Sequence, residues 1–258
     1  MAMEEVLVRP GGELASRPLH FFWVVDCSGS MQGEKIGMVN NAIQNVLPEM
    51  ASEAENNPNA QLLIRTLKFS TGASWLTSEP INVEDYAWQD LEAVGLTDLG
   101  KAFDLLAGQL SIPPMPERAL PPVIVLLSDG QPTDDYKSAL DRLQRLPWAK
   151  KAVKIAISIG QDADDDVLLE FTGNQELILQ ANNAVMLAKM IKWASTAVSA
   201  VSVGASNTPV ELALGDPGAT GAAGDEDSDS KDSGTMILDM DNIPAPEDDD
   251  GIDASDVW

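Results

Sequence analysis

The sequence predicts an α/β fold, in which a doubly wound, mostly parallel, six-stranded sheet is flanked by helices. Apolar runs typical of buried strands alternate along the chain with segments whose apolar residues recur at helical spacing. The apolar fraction of 44% is sufficient for a globular core. An aspartate stands at the end of two of the strand-like runs: Asp26 directly follows the first, and Asp129 lies one residue beyond the fourth. Ligands of such sheets bind at the carboxyl ends of the strands, so both aspartates are candidate site residues.

The strands are predicted from short runs of apolar residues bounded by polar or turn-forming residues. The first run, LHFFWVV, and the fourth, VIVLL, are continuous, as expected of strands that are covered on both faces. The third run lies close enough to the second to pair with it as a hairpin. The six predicted strands cover residues 19–25, 61–69, 73–77, 123–127, 153–159 and 176–179.

The helices are predicted from apolar residues at three- and four-residue spacing. Pro48 should kink or shorten the first helix near its end. Strands that alternate with helices imply parallel βαβ units. The predicted helical segments are 36–50, 99–110, 139–146, 168–171 and 184–203.

The charge of the chain is large and uneven. The net charge is −25 at a pI near 4.1, which argues against nucleic acids and anionic membranes as partners. Residues 204–258 contain 15 acidic residues and a single lysine, Lys231, and they have little apolar surface. We therefore predict that 204–258 is an acidic, largely disordered tail.

Cysteine content and the chain start indicate a cytoplasmic protein. The single cysteine, Cys27, allows no internal disulfide and fits a reducing compartment. The first twenty residues lack the basic and apolar regions of a secretory signal. The most apolar stretch, 185–203, contains Lys189 and Lys192, which favours a packed helix over a membrane span.

Oxygen-bearing side chains are concentrated in three segments that follow or precede predicted elements. The turn after the first strand offers Asp26, Ser28 and Ser30, with Gly29 between the serines. Thr97 stands just before the second helix, and Asp129 follows the fourth strand. Mg²⁺ takes about six oxygen ligands in proteins and usually keeps several waters, so hydroxyls and carboxylates of this kind suit it. The sequence therefore predicts a site for Mg²⁺, Mn²⁺ or another divalent cation.

This constellation resembles the metal-ion-dependent adhesion site of von Willebrand factor A (VWA) domains. The resemblance covers residues 17–203, which leaves 1–16 as an N-terminal extension. It implies that the three hydroxyls contact the metal directly, and that both aspartates bind it directly or through water. It also implies strand order 3-2-1-4-5-6 and a protein partner that supplies a carboxylate to the metal.

Within the family, the segment VVDCSGSMQGEKIGMVNNAI is most similar to bacterial tellurium-resistance-type (TerY-like) proteins. That resemblance implies a non-enzymatic adaptor in a signalling or stress-response system. The partners that it implies are a serine/threonine kinase or a metal-dependent protein phosphatase.

Three alternatives stay open at this point. Asp26, Ser28 and Ser30 could simply cap the helix that starts near Gly33. A haloacid-dehalogenase-like phosphatase could use Asp26 as its nucleophile and Asp129 and Asp134 as metal ligands. That chemistry, however, requires an acid/base carboxylate two residues after the nucleophile, where this chain has Ser28.

The third alternative is a scaffold that acts mainly through its tail. The segments 235–240 and 252–258 carry the tail's apolar residues and could dock on a partner. A tail carboxylate could also occupy the open coordination position of the metal in cis.

Overall fold

The structure is a computed structural model that describes residues 16–56, 60–160 and 163–192. The strands are β1 (Arg17–Asp26), β2 (Ala60–Ser70), β3 (Gly72–Trp75), β4 (Ile81–Asn82), β5 (Val123–Ser128), β6 (Val153–Ile159) and β7 (Ile178–Ala181). The helices are α1 (Glu34–Glu55), α2 (Leu99–Gln109), α3 (Tyr136–Gln144), α4 (Pro147–Lys151), α5 (Asp165–Thr172) and α6, which is described over 184–192.

All the strands belong to one sheet with the order β3-β2-β1-β5-β6-β7. Strand β1 pairs in parallel with β2 on one side and with β5 on the other, and only β3 and β4 run antiparallel to their neighbour β2. The predicted α/β fold, strand order and antiparallel edge are therefore confirmed. The sheet has seven strands rather than the predicted six, because the two-residue β4 pairs with Leu63 and Ile64. A strand that short leaves no periodic pattern in the sequence.

The helices cover both faces of the sheet and create two hydrophobic cores. Successive residues of β1 point to opposite faces, so Phe21 and Trp23 enter one core and Phe22 and Val24 the other. The first core is completed by α1 and α6, and the second by α2, α3 and α5. This two-sided burial explains the continuous apolar run of β1, and it places the carboxyl ends of β1 and β5 side by side.

Two predicted details were wrong. The shortening of the first helix that Pro48 predicts does not occur. Helix α1 continues through Pro48 to Glu55, because Pro48 lies on the exposed side, where water can satisfy the carbonyl that proline leaves unpaired. The last strand begins at Ile178 rather than at 176, since Gln175–Leu177 forms a 3₁₀ turn.

The end of the predicted last helix, residues 193–203, lies outside the described residues, as do the N-terminal extension through residue 15 and the acidic tail. Within 16–56, 60–160 and 163–192, no helix has both the length and the apolar character needed to cross a bilayer.

Candidate metal centre

The site is built at the carboxyl ends of β1 and β5. Asp26 is the last residue of β1 and is fully buried. Asp129 directly follows β5 and is 3% exposed. Because the two strands are parallel neighbours, both carboxylates lie at one edge of the sheet, as the sequence predicts.

The carboxylate of Asp26 is held in place on both of its oxygens. Oδ1 accepts a hydrogen bond from the backbone N–H of Ser28 at 2.8 Å, and Oδ2 accepts one from the Ser128 hydroxyl at 2.7 Å. Burial raises the pKa of Asp26, the hydrogen bonds from Ser128 and Ser28 counteract this, and the negative charge of Asp129 raises it further. A bound cation would favour the charged form of this carboxyl group.

The turn after β1 brings two hydroxyls together. The oxygens Oγ of Ser28 and Ser30 are 2.9 Å apart. Neither serine caps α1, whose N-cap is Gly33 and has no side-chain cap hydrogen bond. The capping alternative therefore does not explain these residues.

The loop that carries Thr97 is tied to this turn through two glycines. The N–H of Gly29 donates to the carbonyl of Gly95 at 2.9 Å, and a Cβ on Gly29 would lie 3.3 Å from that carbonyl oxygen. Gly95 has φ of 92°, a conformation that side chains disfavour. Thr97 itself is 6% exposed. The structure thus places Thr97 two residues from a backbone contact with the Ser28–Ser30 turn.

Backbone contacts fix Thr97 from the opposite side. Its N–H donates to the hydroxyl of Thr133 at 3.0 Å, and the N–H of Thr133 donates to the carbonyl of Thr97 at 2.9 Å. Both bonds use backbone atoms of Thr97, so they do not engage its hydroxyl.

Asp129 supplies the most direct test of whether a cation fits. Its Oδ2 lies 3.2 Å from Nζ of Lys35. Its Oδ1 is buried, and among the described residues it has no hydrogen-bond partner. A buried carboxylate oxygen without a partner is costly, and a cation would remove that cost. The residues present therefore fit a cation at this place.

The donor set favours a hard cation. Within the described ranges, no group of three or more His, Cys, Asp or Glu residues could hold a metal ion. A cation here would depend on serine and threonine hydroxyls together with two carboxylates, which is an all-oxygen set of the kind that Mg²⁺ or Mn²⁺ prefers.

The structure gives another role to Asp134, which the phosphatase alternative takes as a metal ligand. Both side-chain oxygens of Asp134 accept from backbone N–H groups at the start of α2, those of Gly100 at 2.9 Å and Lys101 at 3.1 Å. Asp134 is thus a helix cap.

The single cysteine and the single histidine of the chain are both buried. Burial raises the pKa of Cys27 to about 12, so this thiol stays protonated. His20, whose pKa burial lowers to about 4, is 4% exposed within β1 and stacks on Phe22.

Sequence reasoning missed three residues that support the site: Ser128, Thr133 and Lys35. The Ser128 hydroxyl donates to Asp26 and accepts from the N–H of Gly130 at 2.9 Å. No spacing rule signals Ser128 or Thr133, since each acts through a partner from another segment. Lys35 leaves a weak signal, because a lysine in the first turn of a helix is electrostatically unfavourable.

Comparison with known proteins identifies the family. The sequence profile of the von Willebrand factor type A domain matches residues 22–191, and the chain belongs to this family. Members of the family are generally adhesion or interaction modules rather than enzymes, and they commonly mediate metal-dependent protein–protein interaction. No curated protein sequence matches the chain.

Solved structures share the fold at low identity. The pilus adhesin SpaC from Lactobacillus rhamnosus GG is 12% identical, with a TM-score of 0.58, over 73% of this chain and 31% of the adhesin. A von Willebrand factor type A protein from Catenulispora acidiphila is 15% identical, with a TM-score of 0.53, over 70% of this chain and 43% of that one.

The ArnB paralog VWA2 from Sulfolobus acidocaldarius is 20% identical, with a TM-score of 0.50, over 69% of this chain and 45% of that one. The chain spans less than half the length of each of these three structures. At such identities the likeness shows the fold alone.

Proposed function

We propose that this domain is a non-enzymatic, divalent-metal-dependent protein-binding module whose metal is held by Asp26, Ser28, Ser30, Thr97 and Asp129. The observation that carries the proposal is the buried Oδ1 of Asp129. This oxygen has no hydrogen-bond partner in the described part of the chain, and its carboxylate interacts electrostatically with Asp26.

The charges of the donor set suit recognition of an acidic partner. When bound, the cation supplies a Lewis-acid position that can take a carboxylate oxygen. The predicted ligands comprise two carboxylates and three neutral hydroxyls. Their total charge of −2 therefore does not exceed the charge of a divalent ion. Ser28, Ser30 and Thr97 would hold the ion through their hydroxyls, and Asp26 is fixed by its bonds to Ser28 and Ser128.

The finer assignment rests on the sequence resemblance. We propose a cytoplasmic adaptor in a bacterial kinase/phosphatase-linked signalling or stress-response system of the tellurium-resistance type. The VWA domain would comprise residues 17–203, between the extension 1–16 and the tail 204–258. The partner would be a serine/threonine kinase or a metal-dependent phosphatase, and the tail would compete with it as a ligand in cis.

The test is affinity capture from the native host with and without EDTA, with partners identified by mass spectrometry. Asp26→Ala should abolish capture of the same proteins that EDTA releases, since the ion loses a fixed carboxylate. Asp104→Ala, an exposed substitution with the same change of charge, should leave capture intact.

Capture that survives both EDTA and Asp26→Ala would contradict a metal-dependent interface. Deletion of 204–258 addresses the tail: loss of capture would assign binding to the tail, and stronger capture would indicate that the tail competes for the metal.

A further inference from the structure

Lys35 makes a direct contact with the candidate metal centre from outside the predicted ligand set. Its Nζ lies 3.2 Å from Oδ2 of Asp129. The lysine side chain is 21% exposed and the aspartate side chain is 4% exposed, so the pair is largely shielded from water. Screening by solvent is correspondingly weak, and the charge of Lys35 acts on the site at close range.

The position of Lys35 in its helix is unfavourable by itself. Lys35 is the second residue of α1, and the N-terminus of a helix carries a partial positive charge that disfavours cations. The N-cap, Gly33, offers no side-chain oxygen to compensate. The contact with Asp129 offsets this local cost. A lysine at a position where the helix disfavours a positive charge indicates a role at the site.

We propose that Lys35 is a built-in counter-cation of the metal centre, which holds Asp129 in the metal-free protein and sets the affinity for the divalent ion. This inference rests on the proposed function, because it concerns the same site. The two carboxylates, Asp26 and Asp129, carry a charge of −2, and Lys35 reduces the local charge to −1. A divalent ion must therefore bind next to a cation or displace it from Asp129.

The consequence is that the site binds the metal more weakly than it would without Lys35. With the ammonium in place, Asp129 is not left as an unpaired buried charge when the metal is absent, which would be strongly destabilising. A higher free concentration of the metal is then needed to fill the site, because the ion has to compete with an intramolecular cation. Lys35 is thus a positioning residue that acts through Asp129.

The test is calorimetric titration of the full chain with Mn²⁺ alone. Lys35→Met should bind Mn²⁺ about tenfold more tightly than wild type, since it removes a like charge next to the ion. Lys35→Gln should shift the affinity in the same direction, and Lys35→Arg, which keeps the charge, should stay close to wild type. Lys150 is an exposed residue of α4, so Lys150→Met changes the net charge equally and should bind Mn²⁺ as wild type does.

Thermal unfolding gives a second, independent readout. In EDTA, Lys35→Met should melt below wild type because Asp129 loses its partner, and added Mn²⁺ should raise its melting temperature by more than it raises that of wild type. A merely structural lysine would lower stability in both conditions alike.

The outcomes separate this proposal from the proposed function. If wild type binds Mn²⁺ and Lys35→Met binds it equally or more weakly, the role of Lys35 is overturned while the metal-binding module stands. If neither wild type nor any Lys35 variant binds Mn²⁺, both proposals are overturned.

Discussion

At the scale of single residues, the site depends on how each carboxylate oxygen of Asp26 and Asp129 is satisfied. Both oxygens of Asp26 accept hydrogen bonds, whereas Asp129 has one oxygen on Lys35 and another without a hydrogen-bond partner among the residues that the structure describes. This asymmetry gives the two aspartates different roles. Asp26 is pre-oriented by the protein, and Asp129 is left with capacity for a cation.

Ser128 provides the residue-scale prediction, because its hydroxyl orients Asp26 from the neighbouring strand. Ser128→Ala should lower the free energy of unfolding by about 1–3 kcal/mol, since a buried carboxylate oxygen loses its donor. It should also weaken Mn²⁺ binding by about 10- to 100-fold, the usual effect of removing a group that orients a ligand. Chemical denaturation and calorimetric titration measure the two effects.

The matched control is Ser158, which faces Ser128 in register on β6 and donates to Asp165 at 2.9 Å. Ser158→Ala removes an equally buried hydroxyl and should cost similar stability while leaving Mn²⁺ affinity unchanged. Equal losses of metal affinity in both variants would show that Ser128 acts only through the stability of the sheet.

At the scale of elements, the site requires that the loop before α2 approach the turn after β1. Gly95 makes this approach possible, because its carbonyl accepts from Gly29 and its φ of 92° suits glycine. A Cβ at Gly95 would lie 2.5 Å from Oγ1 of Thr71, closer than real Cβ contacts allow. The loop and the turn are therefore coupled through backbone atoms rather than through side chains.

Gly95→Ala should lower the free energy of unfolding by about 1–3 kcal/mol and weaken Mn²⁺ binding, because the loop that presents Thr97 must shift. Gly108→Ala is the control: a Cβ at this position in α2 meets nothing within 4 Å, and it should raise stability by about 0.5–1 kcal/mol. Denaturant unfolding and metal titration of both variants check the pair. Wild-type metal affinity in Gly95→Ala would show that the loop position is not critical.

The sequence predicted those elements whose pattern reflects burial on both faces. Strands β1 and β5 are continuous apolar runs in the sequence because each is covered by helices on two sides. Their alternation with helices predicted parallel strands, whereas the strand order was implied by the resemblance to VWA domains. The extension of α1 past the predicted end at residue 50 to Glu55 was not predicted from local rules, since the effect of Pro48 depends on which face of the helix meets water. Strand β4 has only two residues and no pattern to detect.

The same limit applies to the candidate site. Asp26, Ser28 and Ser30 share one turn and show their spacing directly, and Asp129 follows a recognisable strand. The contacts of Ser128 and Lys35 join residues about one hundred positions apart, so they emerge only when the sheet is assembled. Both contacts depend on how close the side chains lie in the folded protein, and sequence spacing does not reveal this.

At the scale of the whole molecule, the parallel sheet gathers three separate segments of the chain at one edge. The net charge of the chain is −25, and a negative charge of this size attracts cations to the protein. The partner side chain that would complete the coordination must approach against this negative field. A divalent cation at the site would attract the partner's carboxylate and so counteract this repulsion.

The proposed module requires that one divalent cation be held by oxygens of these three segments. The most direct test is an anomalous difference map from crystals of the protein grown with Mn²⁺. We expect a single strong peak at the carboxyl ends of β1 and β5, with the hydroxyls of Ser28, Ser30 and Thr97 about 2.0–2.3 Å from the ion. A peak elsewhere, or none at that edge at saturating Mn²⁺, would contradict it.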